Sequence, residues 1–170
     1  MISFLSVFLF GSLEIGAYLG ELSPFGALAK NHFPSPHFAF YLAYPSSLSP
    51  EISCSFSEIS SRFSNTYSLR QKEVRLLFFL PIALREESRS ISLIPGTGVA
   101  FWERKLSSGS ESRYYPDFYL GVGYREKMGR VRFRINLLPN LMVERGKKNN
   151  QWLTNFYFFF KAELGVGYEI

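Results

Sequence analysis

Every second residue from Phe156 to Ile170 is apolar: Phe156, Phe158, Phe160, Ala162, Leu164, Val166, Tyr168 and Ile170. Between them stand Tyr157, Phe159, Lys161, Glu163, Gly165, Gly167 and Glu169. A period of 2 belongs to a β-strand, whose successive side chains point to opposite faces. The stretch Thr154–Ile170 therefore reads as a strand with one wholly apolar face. Its other face carries charges and glycines.

Earlier segments repeat the pattern. Leu13, Ile15, Ala17 and Leu19 alternate with Glu14, Gly16, Tyr18 and Gly20. Further strands read over 36–44, 51–59, 72–84, 89–103, 114–125 and 130–142, which makes eight with the last. Within them Val74, Leu76 and Phe78 oppose Glu73, Arg75 and Leu77; Val131, Phe133 and Ile135 oppose Arg132, Arg134 and Asn136. The alternation slips near Glu58, where a bulge is expected. Pro81 cannot donate to a ladder and belongs at a strand end or a bulge. Pro95-Gly96-Thr97-Gly98 should kink its strand. The connections alternate in length. Long polar ones fall at 23–35, 60–71, 104–113 and 143–151. Short turns fall at Pro45–Pro50, Arg85–Ser88 and Glu126–Gly129. The pentapeptide LGVGY occurs at Leu120–Tyr124 and again at Leu164–Tyr168, two strands solving one packing problem.

Length and charge narrow the function classes. A chain of 170 residues suits one domain. No run approaches the ~18 uninterrupted apolar residues of a transmembrane helix. A mean hydropathy of +0.00 is compatible with a membrane barrel, whose alternating strands cancel in any window. The net charge is +5, but Lys and Arg form no tract and no nucleic-acid motif is present, so a nucleic-acid partner is not expected. The single Cys54 excludes an internal disulfide and a Cys-based metal site. His32 and His37 lack a third ligand in sequence, and neither a metal nor a cofactor is expected. Met1–Ser12 is an apolar run ending in small residues, like the end of a secretory signal. The barrel domain would then span 13–170.

Volume decides which face points inward. About five apolar residues on each of eight strands is roughly forty large groups, and an eight-stranded barrel has an interior just wide enough for side chains to fill. The small-residue face fits that space. It also carries Glu14, Glu73, Arg75, Arg132, Arg134, Lys161 and Glu163, both signs of charge, which can pair in a narrow lumen. On a lipid-facing surface one Arg or Lys at mid-membrane would cost ~2–4 kcal/mol. The expected fold is all-β, an eight-stranded antiparallel up-and-down transmembrane β-barrel.

In these segments the chain resembles the small eight-stranded bacterial outer-membrane β-barrels of the OmpA/OmpX type. The resemblance implies an outer-membrane monomer with both termini and the short turns in the periplasm and the long connections outside. It implies that Leu164, Val166, Tyr168 and Ile170 form the C-terminal signal read by the barrel-insertion machinery. The family's usual last residue is Phe, from which Ile170 departs. Lys30, Arg62, Arg70, Arg104, Lys105, Lys147 and Lys148 lie in the long connections and could meet outer-membrane lipid or lipopolysaccharide phosphates.

Three functions are consistent with these residues. The first is a non-enzymatic barrel acting through its loops, its lumen plugged by salt bridges. The second is a soluble lipocalin-like ligand-binding barrel with the apolar face inward. The third is a lipid-A-modifying enzyme or a narrow pore. For the enzyme, His37 and Asp117, with one of many serines, are the only catalytic candidates.

Overall fold

A computed structural model of the chain describes residues 12–46, 48–63, 68–84, 88–106, 109–148 and 151–170. The expectation for Met1–Ser12 falls almost wholly outside them. The strands are β1 (Glu14–Pro24), β2 (Ser35–Ala43), β3 (Pro50–Ser60), β4 (Ser68–Phe78), β5 (Leu80–Ala83), β6 (Arg89–Leu106), β7 (Gly109–Met128), β8 (Val131–Lys148) and β9 (Gln151–Glu169). A short helix, α1 (Ala27–Asn31), follows β1. β4 and β5 both pair with β6 and together make one interrupted stave, so the barrel has eight. Each stave is antiparallel to its neighbours, and β1 pairs with β9 to close the sheet.

The closure has a definite stagger. Carried once around the barrel, Pro24 pairs with Phe159, then Asn140, Tyr119, Gly96, Leu77, Glu51, Ala43 and finally Glu14. The ladder returns to its own strand ten residues lower. For eight strands such a shear goes with a tilt of roughly 40° and a lumen that side chains fill.

The faces point as volume required. Phe156 and Phe158 are 58% and 55% exposed, while Lys161 and Glu163 are 0% and 1%. Val74, Phe118, Leu120, Phe133 and Ile135 are likewise exposed. This apolar exterior is a surface for hydrocarbon, and the soluble arrangement with the apolar face inward is excluded. Gly165 and Gly167 face the lumen because Tyr18 and Tyr41 fill the space a side chain would need. A Cβ on Gly165 would lie 2.5 Å from the Tyr18 ring, and one on Gly167 would collide with the Tyr41 hydroxyl.

Three details differ from the sequence reading. No bulge occurs at Glu58. The β3–β4 register runs unbroken through Glu58↔Arg70 and Ile59↔Leu69. Ile59 turns inward and Glu58 outward, where it meets Arg70 at 3.5 Å, because the strand has risen above the hydrocarbon. The stretches 104–113 and 143–151 are hairpins rather than loops. β6 and β7 pair up to Leu106↔Gly109, and β8 and β9 up to Lys148↔Gln151. Pro95–Gly98 leaves the β6–β7 ladder unbroken. The irregularity lies across from it, where β4 gives way to β5 at Phe79, and Pro81 stands at a register shift as expected.

Candidate functional site

The side chains that fill the lumen are the candidate site. They stack in layers from the end where β1 starts and β9 stops to the end holding α1 and the long hairpins, here called the loop end.

The lowest layer is built on Arg134 of β8. It bridges Glu14 of β1 at 2.7 Å and Glu51 of β3 at 2.5 Å. Tyr41 donates to Glu14 and Tyr18 to Glu51, at 2.6 and 2.8 Å. The Arg134 guanidinium also lies 4.4 Å from the Tyr41 ring centre. Arg132 pairs with Glu14 and Glu169 nearer the mouth.

The middle layer is built on Glu163 of β9. Arg75 of β4 reaches it at 2.6 Å and His37 of β2 at 2.8 Å. The other ring nitrogen of His37 is 2.8 Å from the Ser57 hydroxyl, and Arg75 donates to Ser53. Just above, Lys161 pairs with Glu73 and donates to the Tyr119 hydroxyl. Tyr119 in turn donates to Asp117, which also accepts from Asn140.

All seven charges expected in the lumen are there, divided among these layers. Sequence reasoning left Glu51, Tyr18 and Tyr41 out of the cluster. Their inward parity on β1, β2 and β3 was the available signal. His37 and Asp117 are both buried but do not meet. A chain of Ser57, His37 and Glu163 takes the place of the His37–Asp117–Ser arrangement. Glu163 also carries Arg75, and the whole chain is enclosed.

An apolar cap closes the lumen above the charges. Leu22, Ile59, Leu69, Trp102, Met142 and Phe159 pack together there with Ala100 and Tyr115, all buried. Trp102 touches the rings of Tyr115 and Phe159 at centroid distances of 4.9 and 5.7 Å. α1 adds Leu28 to the cap.

Above the cap, Glu144 gathers four donors. Arg113 and Tyr115 reach one carboxylate oxygen at 2.7 and 3.1 Å; Asn155 and Tyr157 reach the other at 3.1 and 2.5 Å. Burial works against the charged form, but these donors outweigh it and hold the Glu144 carboxyl below its ordinary pKa. Around this end the expected cations are not all free. Arg70 pairs with Glu58, and Arg104 lies over Trp102. Lys30 and Arg62 carry no carboxylate partner among the described residues, and neither does Arg145, a cation the sequence reading did not include; the side chains of Lys105, Lys147 and Lys148 lie outside the described residues.

No family model matches the chain. No curated protein matches it either. Solved structures do. Neisserial surface protein A superposes with a TM-score of 0.65 at 8% identity, over 94% of this chain and 96% of that one. The Yersinia pestis attachment invasion locus protein Ail, solved with the heparin analogue sucrose octasulfate, gives 0.51 at 18% identity over 94% and 97%. The N-terminal β-barrel domain of Pseudomonas aeruginosa OprF gives 0.51 at 14% over 94% and 98%. With a closed eight-stave sheet, a hydrocarbon-facing exterior and a charged lumen, the chain has the fold of the small outer-membrane β-barrels of the OmpA/OmpX type.

Proposed function

We propose that this protein is a closed, non-enzymatic outer-membrane barrel that works by contact at its loop end. Both termini face the periplasm. The observation that carries the reading is the doubly blocked lumen: ion-paired layers below, an aromatic and aliphatic cap above. Among the described residues, the apolar cap interrupts the polar filling of the lumen. Ser57, His37 and Glu163 are buried, which speaks against their meeting a lipid or a soluble substrate. Leu164, Val166, Tyr168 and Ile170 stand exposed along β9, as a signal read by the insertion machinery requires.

The loop end offers Lys30, Arg62 and Arg145 to anionic groups, lipopolysaccharide phosphates among them. That Ail, a barrel of this fold, was solved with a polysulfated sugar supports the chemistry. Sucrose octasulfate is the probe for this chain as well. Calorimetric titration of the detergent-solubilised protein should show binding. Changing all three cations to Glu should weaken it on the order of 100-fold, at about 1 kcal/mol per cation. No binding by the unchanged protein would sink the loop-end reading.

A further inference from the structure

The exterior carries a recess that the lumen does not explain. It lies on the hydrocarbon face of β7, β8 and β9, with a volume of about 710 Å³. Phe118, Leu120, Pro139, Phe158 and Phe160 line it, and Phe25 and Gly26 form its upper wall. Its lining is almost wholly apolar. A second recess of about 520 Å³ shares Phe25, Gly26 and Phe158 with the first. This one continues toward the loop end and is edged by the polar groups of Asn31, Thr154 and Asn155. The two form one groove, polar at the top and apolar below.

The groove is built by two specific features. At its floor, Pro139 has no N–H to give. The β7–β8 ladder runs through Tyr119↔Asn140 and resumes at Val122↔Leu137, missing the Leu120/Pro139 and Gly121/Leu138 pairs between them. At its upper wall, the chain runs one residue past β1 alongside β9. The Phe25 N–H donates to the Phe158 carbonyl at 2.9 Å, and the Phe25 ring meets Phe160 edge-on at 6.4 Å. Gly26, at φ 63°, then turns the chain back over the rim into α1. An extended, preformed recess of this size and lining has the character of a ligand site.

From this geometry we infer that the groove holds one acyl chain of a membrane lipid from the leaflet at the loop end. The polar part of that lipid lies against Asn31, Thr154 and Asn155. The occupant follows from where the groove opens: its lower limb faces bilayer hydrocarbon, and its polar limb lies toward the membrane surface. A protein partner would have to displace lipid from a recess that already lies within the hydrocarbon. The site needs the membrane, and it does not depend on polyanion binding by Lys30, Arg62 and Arg145.

Native mass spectrometry of the full chain, titrated in detergent with phosphatidylglycerol bearing long acyl chains, tests the inference. Circular dichroism melting reports that each variant is folded. The unchanged protein should retain a single lipid in preference to any further one. Leu120→Trp, which fills the floor, should weaken retention about tenfold. Phe25→Ala, which removes the wall and leaves the backbone bond to Phe158 in place, should weaken it as well. Phe133→Trp, on the same exterior but away from the groove, should leave it unchanged. Soluble glycerophosphoglycerol, a headgroup without chains, should not compete. A statistical spread of bound lipids with no favoured stoichiometry would overturn the site. So would equal retention by the Leu120 and Phe25 variants, or displacement by the headgroup alone.

Discussion

Glu163 shows what a single carboxylate does in this barrel. It receives Arg75 and His37 on one oxygen and the Asn136 amide on the other. Burial makes its loss expensive, because removing one partner of a buried pair leaves the other charge uncompensated, typically ~3–5 kcal/mol. Glu163→Gln should lower the unfolding free energy of the vesicle-embedded barrel by that order, read as a lower urea midpoint. Replacing both members of the pair, Glu163→Gln with Arg75→Met, should recover part of the loss. A midpoint that does not move for the single change would mean that water reaches this layer.

The elements divide into a part inside the membrane and a part above it. Inside, each strand announces itself in the sequence, since hydrocarbon on one side and a crowded lumen on the other enforce strict alternation. Above, both faces meet water and the signal fades. That is why β6 and β7 beyond Trp102, and β8 and β9 beyond Glu144, read as loops. At Ile59 the inversion of faces looked like a bulge for the same reason. The inventory of lumen charges was legible from parity along each strand. The partner choices were not, because they depend on register and shear: His37 meets Glu163 across the lumen and 126 positions away in sequence.

The Glu144 clasp ties β7, β8 and β9 together at the base of the protruding hairpins. Its carboxyl is held below its ordinary value, so the clasp is intact above the unfolded pKa of about 4.3. It is lost as pH falls through the lowered folded value. Amide exchange in the β8–β9 hairpin, corrected for its intrinsic pH dependence, should therefore accelerate on acidification. In Glu144→Gln that acceleration should be absent. An identical profile in the two proteins would show that Glu144 does not hold the hairpin.

At the scale of the whole molecule the lumen is blocked twice, and the blocks are independent. Trp102→Ala opens the cap at a stability cost of ~3–5 kcal/mol. It leaves Glu73, Lys161, Arg75 and Glu163 in place beneath. Planar-bilayer recordings of this variant should therefore show no steady conductance, as for the unchanged protein. Stable single-channel steps in Trp102→Ala would show that the ionic layers alone do not seal the barrel.

The seam between β1 and β9 gives the fold a direction in time. Glu14 pairs with Glu169 and Pro24 with Phe159, so the closing contacts join the first strand of the sheet to the last. A ladder this long in sequence costs the most entropy to close, and nothing local can stand in for it. Until the last strand has been synthesised, β1 keeps an unpaired edge, and the apolar exterior has neither a closed sheet nor lipid to cover it. A sheet with this topology cannot close until β9 is available to pair with β1, whatever the order in which the other ladders form.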